Sequence, residues 1–310
     1  MMARAAMLAV AALALAAGSF LAFIRYELRP RRARLDPAAT GLPVEAVAIP
    51  SSSGARLAGW FLPGAGRGAV LLLHGAKSNR LVLVERMRFL RGAGYSTLAI
   101  DFQAHGESTG DRITMGQLES LDARSALKWL RARLPGEPVA ALGISMGGSA
   151  TLIGQPIEAD AVIVESVALD SVAAVSNRLA LRFGPLARLF TPFVLGAMRT
   201  AGGIDASKLR PIEGIARLHK PIFIMTGAED QKTTVAEGRA LFAAANPPKS
   251  YWETPGAQHI DLLFAGGDAY RERLLEFLDA ALRSPPDRPL TCDAPKILAR
   301  DTENEGRSIA

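Results

Sequence analysis

The chain has 310 residues, of which 49% are hydrophobic and 21% charged, and this composition suits one large globular domain, or two small ones, with an apolar segment. Its single cysteine, Cys292, excludes an internal disulfide and a cysteine-rich metal site. The formal net charge is +6, but five arginines and one glutamate lie within residues 25–34, beside the apolar segment. We therefore interpret the basicity as a membrane flank and expect no nucleic-acid partner.

Residues 5–24 form a run of twenty residues without a charge, bounded by Arg4 and Arg25. A helix of that length spans about 30 Å, the thickness of the hydrocarbon core of a bilayer, so the run predicts a single-pass transmembrane anchor. The alternative is a cleaved signal peptide, with Ala14-Leu15-Ala16 among the cleavage sites, but the apolar run is long for that role. More positive charge follows the run than precedes it, which favours a cytoplasmic main domain. A signal peptide would instead place that domain in the periplasm or outside the cell.

After a basic flank and linker at 25–43, strands and helices alternate. Strands are predicted at 44–49, 57–62, 69–73, 95–100, 139–144, 161–164, 221–225 and 249–253, and helices at 82–91, 115–133, 235–245 and 269–282, with another helix directly after residue 145. This alternation predicts an α/β domain over 44–283, in which helices cover both faces of a mostly parallel sheet. In such sheets ligands bind at the carboxyl ends of the strands.

Residues 171–210 interrupt this alternation. Helices are predicted at 172–183 and 186–199, and the second carries an apolar stripe at Leu186, Leu189, Phe190, Phe193, Val194 and Met198. A helical pair inserted after the carboxyl end of a strand would cover the ligand site as a small cap, whereas an extra packing helix without a ligand role is the alternative. The tail at 284–310 combines prolines with mixed charges and is predicted to be disordered.

The sequence Gly143-Ile144-Ser145-Met146-Gly147 follows the buried strand at 139–144 and matches the pattern G-x-S-x-G. A strand that turns abruptly into a helix strains its middle residue, so the residues two positions away need to lack side chains. The turn would expose the hydroxyl of Ser145 and place the N–H of Met146 beside it at a helix N-terminus, where negative charge is stabilised. The motif predicts a nucleophilic serine, although an ordinary glycine-rich turn has the same pattern.

A serine nucleophile needs a general base, usually a histidine that a carboxylate orients. His259 follows the last strand at the carboxyl edge of the predicted sheet and is the best candidate among the four histidines. His219 precedes its strand and lies at the opposite edge, and His105 is expected to hold its own loop. His74 ends a strand near the site, and the sequence leaves its ring direction open.

Asp230 is the preferred carboxylate because of its spacing after the strand at 221–225, whereas the neighbouring Glu229 is expected to face solvent. Glu165, at the end of the strand at 161–164, is the alternative acid. The chain order of serine, Asp230 and His259 is typical of one fold.

These motifs together resemble the α/β-hydrolase superfamily, most closely its short-capped, serine-aminopeptidase-like or monoacylglycerol-lipase-like branch. The resemblance covers roughly residues 44–283 and rests on the nucleophile elbow at 143–147, the His-Gly-Ala sequence at 74–76, the loop at 101–108, the acid turn at 226–230 and the base loop at 256–259. Gln103-Ala104 departs from the Arg-Gly that the family usually has. The resemblance implies an oxyanion hole formed by the N–H groups of Ala76 and Met146, and Lys77 and Asn79 beside it are candidates for contact with substrate.

The expected activity is that of a membrane-tethered serine hydrolase that cleaves a carboxylic ester or thioester through a Ser145–His259–Asp230 triad and an acyl-enzyme. A small-molecule or lipid-like acyl substrate fits the apolar cap and the anchor. An amidase or peptidase on the same fold is one alternative, and a non-catalytic membrane-tethered binding protein is another. The sequence contains no metal-ligand motif or dinucleotide fingerprint, so no metal or cofactor is expected. Acyl chain length, leaving group and oligomeric state are not predicted.

Overall fold

The computed structural model describes residues 2–259 and 261–283. The tail at 284–310, for which disorder is predicted, lies outside the described residues, as does Cys292. The strands, numbered in chain order, are β1 (Arg31–Arg32), β2 (Glu45–Pro50), β3 (Arg56–Leu62), β4 (Ala69–Leu73), β5 (Ser96–Ile100), β6 (His105–Gly106), β7 (Val139–Ile144), β8 (Ala161–Glu165), β9 (Ile222–Gly227) and β10 (Lys249–Thr254). Eight of them form one sheet in the order β10-β9-β8-β7-β4-β5-β3-β2. Only the β2–β3 and β3–β5 pairs in this sheet are antiparallel, so the predicted mostly parallel sheet is confirmed.

The helices lie on both faces of this sheet, as predicted. They are α1 (Met2–Glu27), α2 (Val84–Gly92), α3 (Glu119–Arg133), α4 (Met146–Ile153), α5 (Ser171–Phe183), α6 (Ala187–Gly202), α7 (Pro211–Ala216), α8 (Val235–Ala244) and α9 (Leu262–Arg283). The helices α2 and α9 cover one face, and α3, α4, α7 and α8 cover the other. The central strand β4 is apolar throughout because both of its faces are buried: Leu71 and Leu73 pack on one face of the sheet, and Val70 and Leu72 on the other.

Three helices differ from the sequence prediction. Helix α3 begins at Glu119 rather than at 115, and Met115 has a positive φ of 56°, which is not helical. The closing helix begins at Leu262 rather than at 269, and it contains a break at Gly267, whose φ of 52° and ψ of −128° are not helical. The glycine pair at 266–267 therefore joins two helical pieces, whereas the sequence pattern shows only the second. The short helix α7 was not predicted; it begins at Pro211, where the missing N–H of proline has no helical partner to lose.

The basic segment that follows α1 is attached to the α/β domain. The strand β1 pairs in parallel with β6, so that the N–H of Arg31 donates to the carbonyl of Ala104 at 2.8 Å and the N–H of Ala33 donates to the carbonyl of Gly106 at 3.1 Å. Residues 25–43, expected as a flank and linker, thus hold α1 close to the domain by backbone hydrogen bonds.

A cap formed by α5 and α6 follows the carboxyl end of β8, and the last turns of α1 pack against it. Helix α1 is long and apolar enough to cross a membrane, yet its Ile24 and the following Leu28 are buried against Ala197 and Met198 of α6. The apolar stripe predicted on α6 does not form one buried face. Its Val194 and Met198 line the cavity described below, whereas the other four side chains are exposed: Leu186, Leu189, Phe190 and Phe193.

Candidate active site

Ser145 lies at the sharp turn between β7 and α4, with a φ of 51° and a ψ of −111°. This backbone conformation is strained for a residue with a side chain and is typical of a nucleophile elbow. A Cβ on Gly143 would lie 2.4 Å from the nitrogen of Gly148, and a Cβ on Gly147 would lie 2.5 Å from the carbonyl oxygen of Leu73. The expectation that both glycine positions exclude a side chain is therefore confirmed.

The structure brings together the three side chains predicted as a triad. The Oγ of Ser145 lies 3.3 Å from Nε2 of His259, and Nδ1 of His259 lies 2.8 Å from Oδ2 of Asp230. Because the carboxylate oxygen accepts at Nδ1, the proton of a neutral imidazole is on Nδ1 and the lone pair on Nε2 faces the serine. This is the tautomer that a general base for Ser145 requires.

Asp230 is held as an anion by its own turn. Its carboxylate accepts hydrogen bonds from the backbone N–H groups of Lys232 at 2.8 Å and Thr233 at 2.9 Å, and from the Thr233 hydroxyl. Burial acts to raise the pKa of Asp230, but the hydrogen bonds from His259 and Thr233 outweigh it and hold that pKa below the usual value. Thr233 was missed by sequence reasoning, although a threonine three residues after an aspartate is a recognisable turn signal.

The two residues expected to supply oxyanion donors, Ala76 and Met146, line the same cavity as Ser145. Met146 is the first residue of α4, so its N–H has no partner within the helix. Ala76 lies in the loop after β4, where a Cβ on the preceding Gly75 would be 3.6 Å from Cβ of Ser145. Within residues 2–259 and 261–283, no acceptor takes a hydrogen bond from the N–H of Ala76 or Met146. Both donors are therefore unsatisfied beside the hydroxyl.

Two buried histidines hold the loop that carries Ala76. Nδ1 of His74 donates to the carbonyl of Gly75 at 2.7 Å, while its Nε2 accepts from the N–H of Phe102 at 3.1 Å. Nε2 of His105 accepts from the N–H of Lys77 at 3.1 Å, which fixes that residue at a φ of 60°. Burial, reinforced by His105, lowers the pKa of His74 to about 3. His74 is therefore a neutral structural group whose two ring nitrogens bond to backbone groups of Gly75 and Phe102.

Glu165, the alternative acid, belongs to a separate buried network. Its carboxylate accepts from Nη2 of Arg86 at 2.8 Å and from the hydroxyl of Tyr270. The guanidinium of Arg86 also donates to both oxygens of Asp261, at 3.0 and 2.7 Å. Since Asp261 lies two residues beyond His259, this network holds the loop of the histidine without contacting its ring. Sequence reasoning placed Arg86 in a helix but assigned it no partner.

The side chains of Lys77 and Asn79, the two candidates for contact with substrate, both have partners within the chain. Lys77 forms an ion pair with Glu27 at the end of α1, where both side chains are about one-third exposed. The side chain of Asn79 accepts from the N–H of Leu81 at 3.0 Å and caps a 3₁₀ turn. Lys77 still lines the cavity beside Ser145, whereas Asn79 does not.

Ser145 and His259 line a cavity of about 1580 Å³. Its apolar wall comes from three parts of the chain: Phe20, Phe23 and Ile24 of α1, Val175, Leu179 and Phe183 of α5, and Val194 and Met198 of α6. The cap helices therefore enclose the site, and the N-terminal helix forms part of its wall. In the part of the chain that the structure describes, no cluster of three or more histidine, cysteine, aspartate or glutamate side chains is arranged to hold a metal ion.

The parallel sheet, the cap and the serine at a strand-to-helix elbow define the class of the fold: the chain has the α/β-hydrolase fold. Residues 64–200 match the family described as serine aminopeptidase, S33.

The chain is also similar to known proteins and to solved structures. An uncharacterized protein of Mycobacterium tuberculosis is 28% identical over 281 residues, which cover 87% of this chain and 93% of that protein. The alpha/beta hydrolase domain-containing protein WAV2 of Arabidopsis thaliana is 25% identical over 264 residues, 79% of this chain and 82% of that protein. The structure of an esterase from Pyrococcus furiosus superposes with a TM-score of 0.69 at 23% identity, covering 82% of this chain and 98% of the esterase.

Proposed function

We propose that the protein is a serine hydrolase that cleaves a carboxylic ester or thioester with a lipid-like acyl group. The observation that carries this proposal is the hydrogen-bonded series from Ser145 through His259 to Asp230 at a nucleophile elbow. The family match and the fold of the Pyrococcus furiosus esterase support the coarser statement, a hydrolase acting on ester-like substrates.

The geometry supports a two-step acyl transfer. The Oγ of Ser145 attacks the carbonyl carbon while Nε2 of His259 takes its proton, and the anion of Asp230 stabilises the resulting imidazolium. The N–H groups of Ala76 and Met146 donate hydrogen bonds to the negatively charged carbonyl oxygen, and each such bond lowers the barrier by about 3 kcal/mol. His259 then protonates the leaving oxygen or sulfur, and water deprotonated by the same imidazole releases the acyl group from the serine.

The cavity wall supports an apolar acyl chain as the substrate group. Aromatic and aliphatic side chains from α1, α5 and α6 surround the space beyond the serine, and burying a chain against them contributes about 0.8 kcal/mol per methylene. An amidase or peptidase would use the same triad, so the leaving group is a question for measurement with matched ester and anilide substrates.

Helix α1 is proposed to anchor the protein in a membrane as a single span. Every described side chain from Met2 to Ser19 is exposed to solvent, an arrangement that an apolar helix of this length tolerates when lipid covers it. Resistance of the full chain to carbonate extraction, together with an intact N-terminus by mass spectrometry, tests this anchor. A mature chain that begins after residue 16 would identify a signal peptide instead.

The catalytic proposal is tested by labelling the full chain, purified in mild detergent, with a fluorophosphonate probe. We expect labelling of the wild type, its loss in Ser145→Ala, and its retention in the matched control Ser149→Ala, one turn further along α4. A nitrophenyl-ester series of rising chain length, compared with the corresponding nitroanilides, then separates an esterase from an amidase. Absence of labelling in a folded wild-type protein would favour a non-catalytic binding protein.

A further inference from the structure

The packing of α1 limits how far the cap can lie from the membrane that this helix is proposed to span. Helix α1 continues without a break to Glu27, and its last turns are fixed to α6 by the buried Ile24 and Leu28. The preceding eighteen residues, 2–19, would extend about 27 Å, which is close to the thickness of a bilayer core. No flexible segment separates the span from the cap, so the cap lies at the lipid surface.

The side of α6 that faces away from the cavity is apolar. Leu186, the last residue of the 3₁₀ turn that leads into α6, is followed by Leu189 and Phe193 at spacings of three and four residues, which places Leu189 and Phe193 on one face of the helix and Leu186 at its start. Leu189 is 63% exposed and Phe193 is 70% exposed, and Phe190 lies beside them. A contiguous apolar surface of this kind marks an interaction site, whereas single exposed apolar residues do not.

The charge of the cap favours an anionic lipid surface as the partner. Residues 171–202 contain neither aspartate nor glutamate, and of their four arginines Arg178 and Arg182 line the cavity, whereas Arg188 and Arg199 are exposed on α6 outside it. Arginines that flank an apolar helix face are typical of segments that lie in the membrane interface, where each contributes about 1 kcal/mol near anionic headgroups. Arg25 in the last turn of α1 and Arg29, two residues beyond that helix, are also exposed.

The mouth of the cavity lies next to this surface. Phe23, Phe183 and Phe264 line the cavity and are also about half exposed or more, which identifies them as its rim. Phe23 belongs to α1 and Phe183 precedes the exposed Leu186 of the cap. The rim is therefore apolar and close to both the proposed span and the outer face of α6.

We propose that the outer face of α6, formed by Leu186, Leu189, Phe190 and Phe193, docks into an anionic lipid surface, so that the substrate enters the cavity from the bilayer. The proposal rests on α1 spanning the membrane and extends the proposed function by giving the route of the substrate. Docking itself does not depend on turnover, so it can be tested in a chain without a nucleophile.

The test uses the full chain with Ser145→Ala and Cys292→Ser, reconstituted in vesicles of phosphatidylcholine and phosphatidylglycerol. An environment-sensitive dye is attached through Leu189→Cys, or through the matched control Lys128→Cys, which is exposed near the end of α3 at the opposite edge of the sheet. We expect a blue-shifted emission at position 189 and several-fold stronger quenching by nitroxide-labelled lipid than at position 128. Phe193→Cys is a second reporter and should behave as position 189 does.

Charge reversal tests the lipid class on the same reporter. Arg188→Glu with Arg199→Glu should move the emission at position 189 toward its value in water, whereas the control Arg124→Glu on α3 should not. If position 189 is as open to aqueous iodide as position 128, the docking proposal is overturned. Shielding from both iodide and lipid nitroxide, with cross-linking between chains, would overturn it in favour of a second copy. Carbonate extraction of the same vesicles reports separately whether α1 is inserted.

Discussion

The buried pair of Arg86 and Glu165 allows a quantitative prediction. Both side chains are fully buried, with a separation of 2.8 Å between Nη2 and Oε2. Arg86→Met removes the cation and leaves the carboxylate in the core with the hydroxyl of Tyr270. Breaking such a pair from one side costs about 3–5 kcal/mol, because the remaining charge is no longer compensated. We expect the free energy of unfolding to fall by that amount near pH 8.

Neutralising the remaining charge should recover much of this loss. The combined variant Arg86→Met with Glu165→Gln leaves an amide that can still accept from Tyr270, so its destabilisation should be less than the sum of the two single changes by about 1–3 kcal/mol. The cost of Arg86→Met alone should also shrink as the pH falls. Burial already raises the pKa of Glu165 against the effect of Arg86, and without the cation the folded state takes up a proton at a still higher pH.

The assay is urea unfolding of the full chain in mild detergent, followed by tryptophan fluorescence at pH 8 and pH 5.5. Arg91→Met is the matched control, because Arg91 lies on the exposed side of the same helix and should change stability by less than about 0.5 kcal/mol. Equal effects of Arg86→Met and Arg91→Met, or strict additivity with Glu165→Gln, would refute the reasoning.

Three further predictions follow from the site and its supports. Asp230→Asn should lower kcat for an ester by about 10⁴-fold and Glu165→Gln by less than about tenfold; the reverse order would identify Glu165 as the acid. Because the pKa of His74 is about 3 in the folded state against about 6.5 unfolded, its protonation favours unfolding, and the contribution of His74 to stability should fall by about 1.4 kcal/mol per pH unit below 6.5 and stay level above it. Urea unfolding of the wild type and of His74→Asn at a series of pH values measures this, because the variant should lack the part of the pH dependence that corresponds to the uptake of one proton on unfolding. Gly147→Ala, whose Cβ would lie 2.5 Å from a backbone oxygen of β4, should cost more than about 3 kcal/mol of unfolding free energy, while Gly92→Ala, whose Cβ meets nothing within 4 Å, should cost almost none.

Local patterns explain what could be predicted from the sequence. The strand that leads to Ser145 is predicted at the observed residues because a buried parallel strand is a continuous apolar run, and this run stops at the polar Ser145. The fold follows from the alternation of such runs with helices. Asp230 and His259 could be singled out because each follows a strand at the same edge of the sheet.

Contacts between distant segments explain what could not be predicted. The pairing of Arg86 with Glu165 joins residues 79 positions apart, so no local sequence pattern predicts it. The two sides of α6 are both apolar, so the sequence shows a single stripe where the structure has a cavity wall at Met198 and an outer surface at Phe193. The pairing of Lys77 with Glu27 likewise depends on where α1 lies.

The position of α1 means that it is not an exchangeable module. A Cβ built on Gly202 of α6 would lie only 2.4 Å from Cδ1 of Leu28, directly after α1. The cap therefore has no room for even one more methyl group at this contact. A chimaera in which another apolar helix replaces residues 2–27 would still contain Ser145, His259 and Asp230, but one side of its cavity would be rebuilt. A shortened chain that begins at residue 35 would likewise lose Phe20, Phe23 and Ile24 from the cavity wall, although Ser145 itself would be retained.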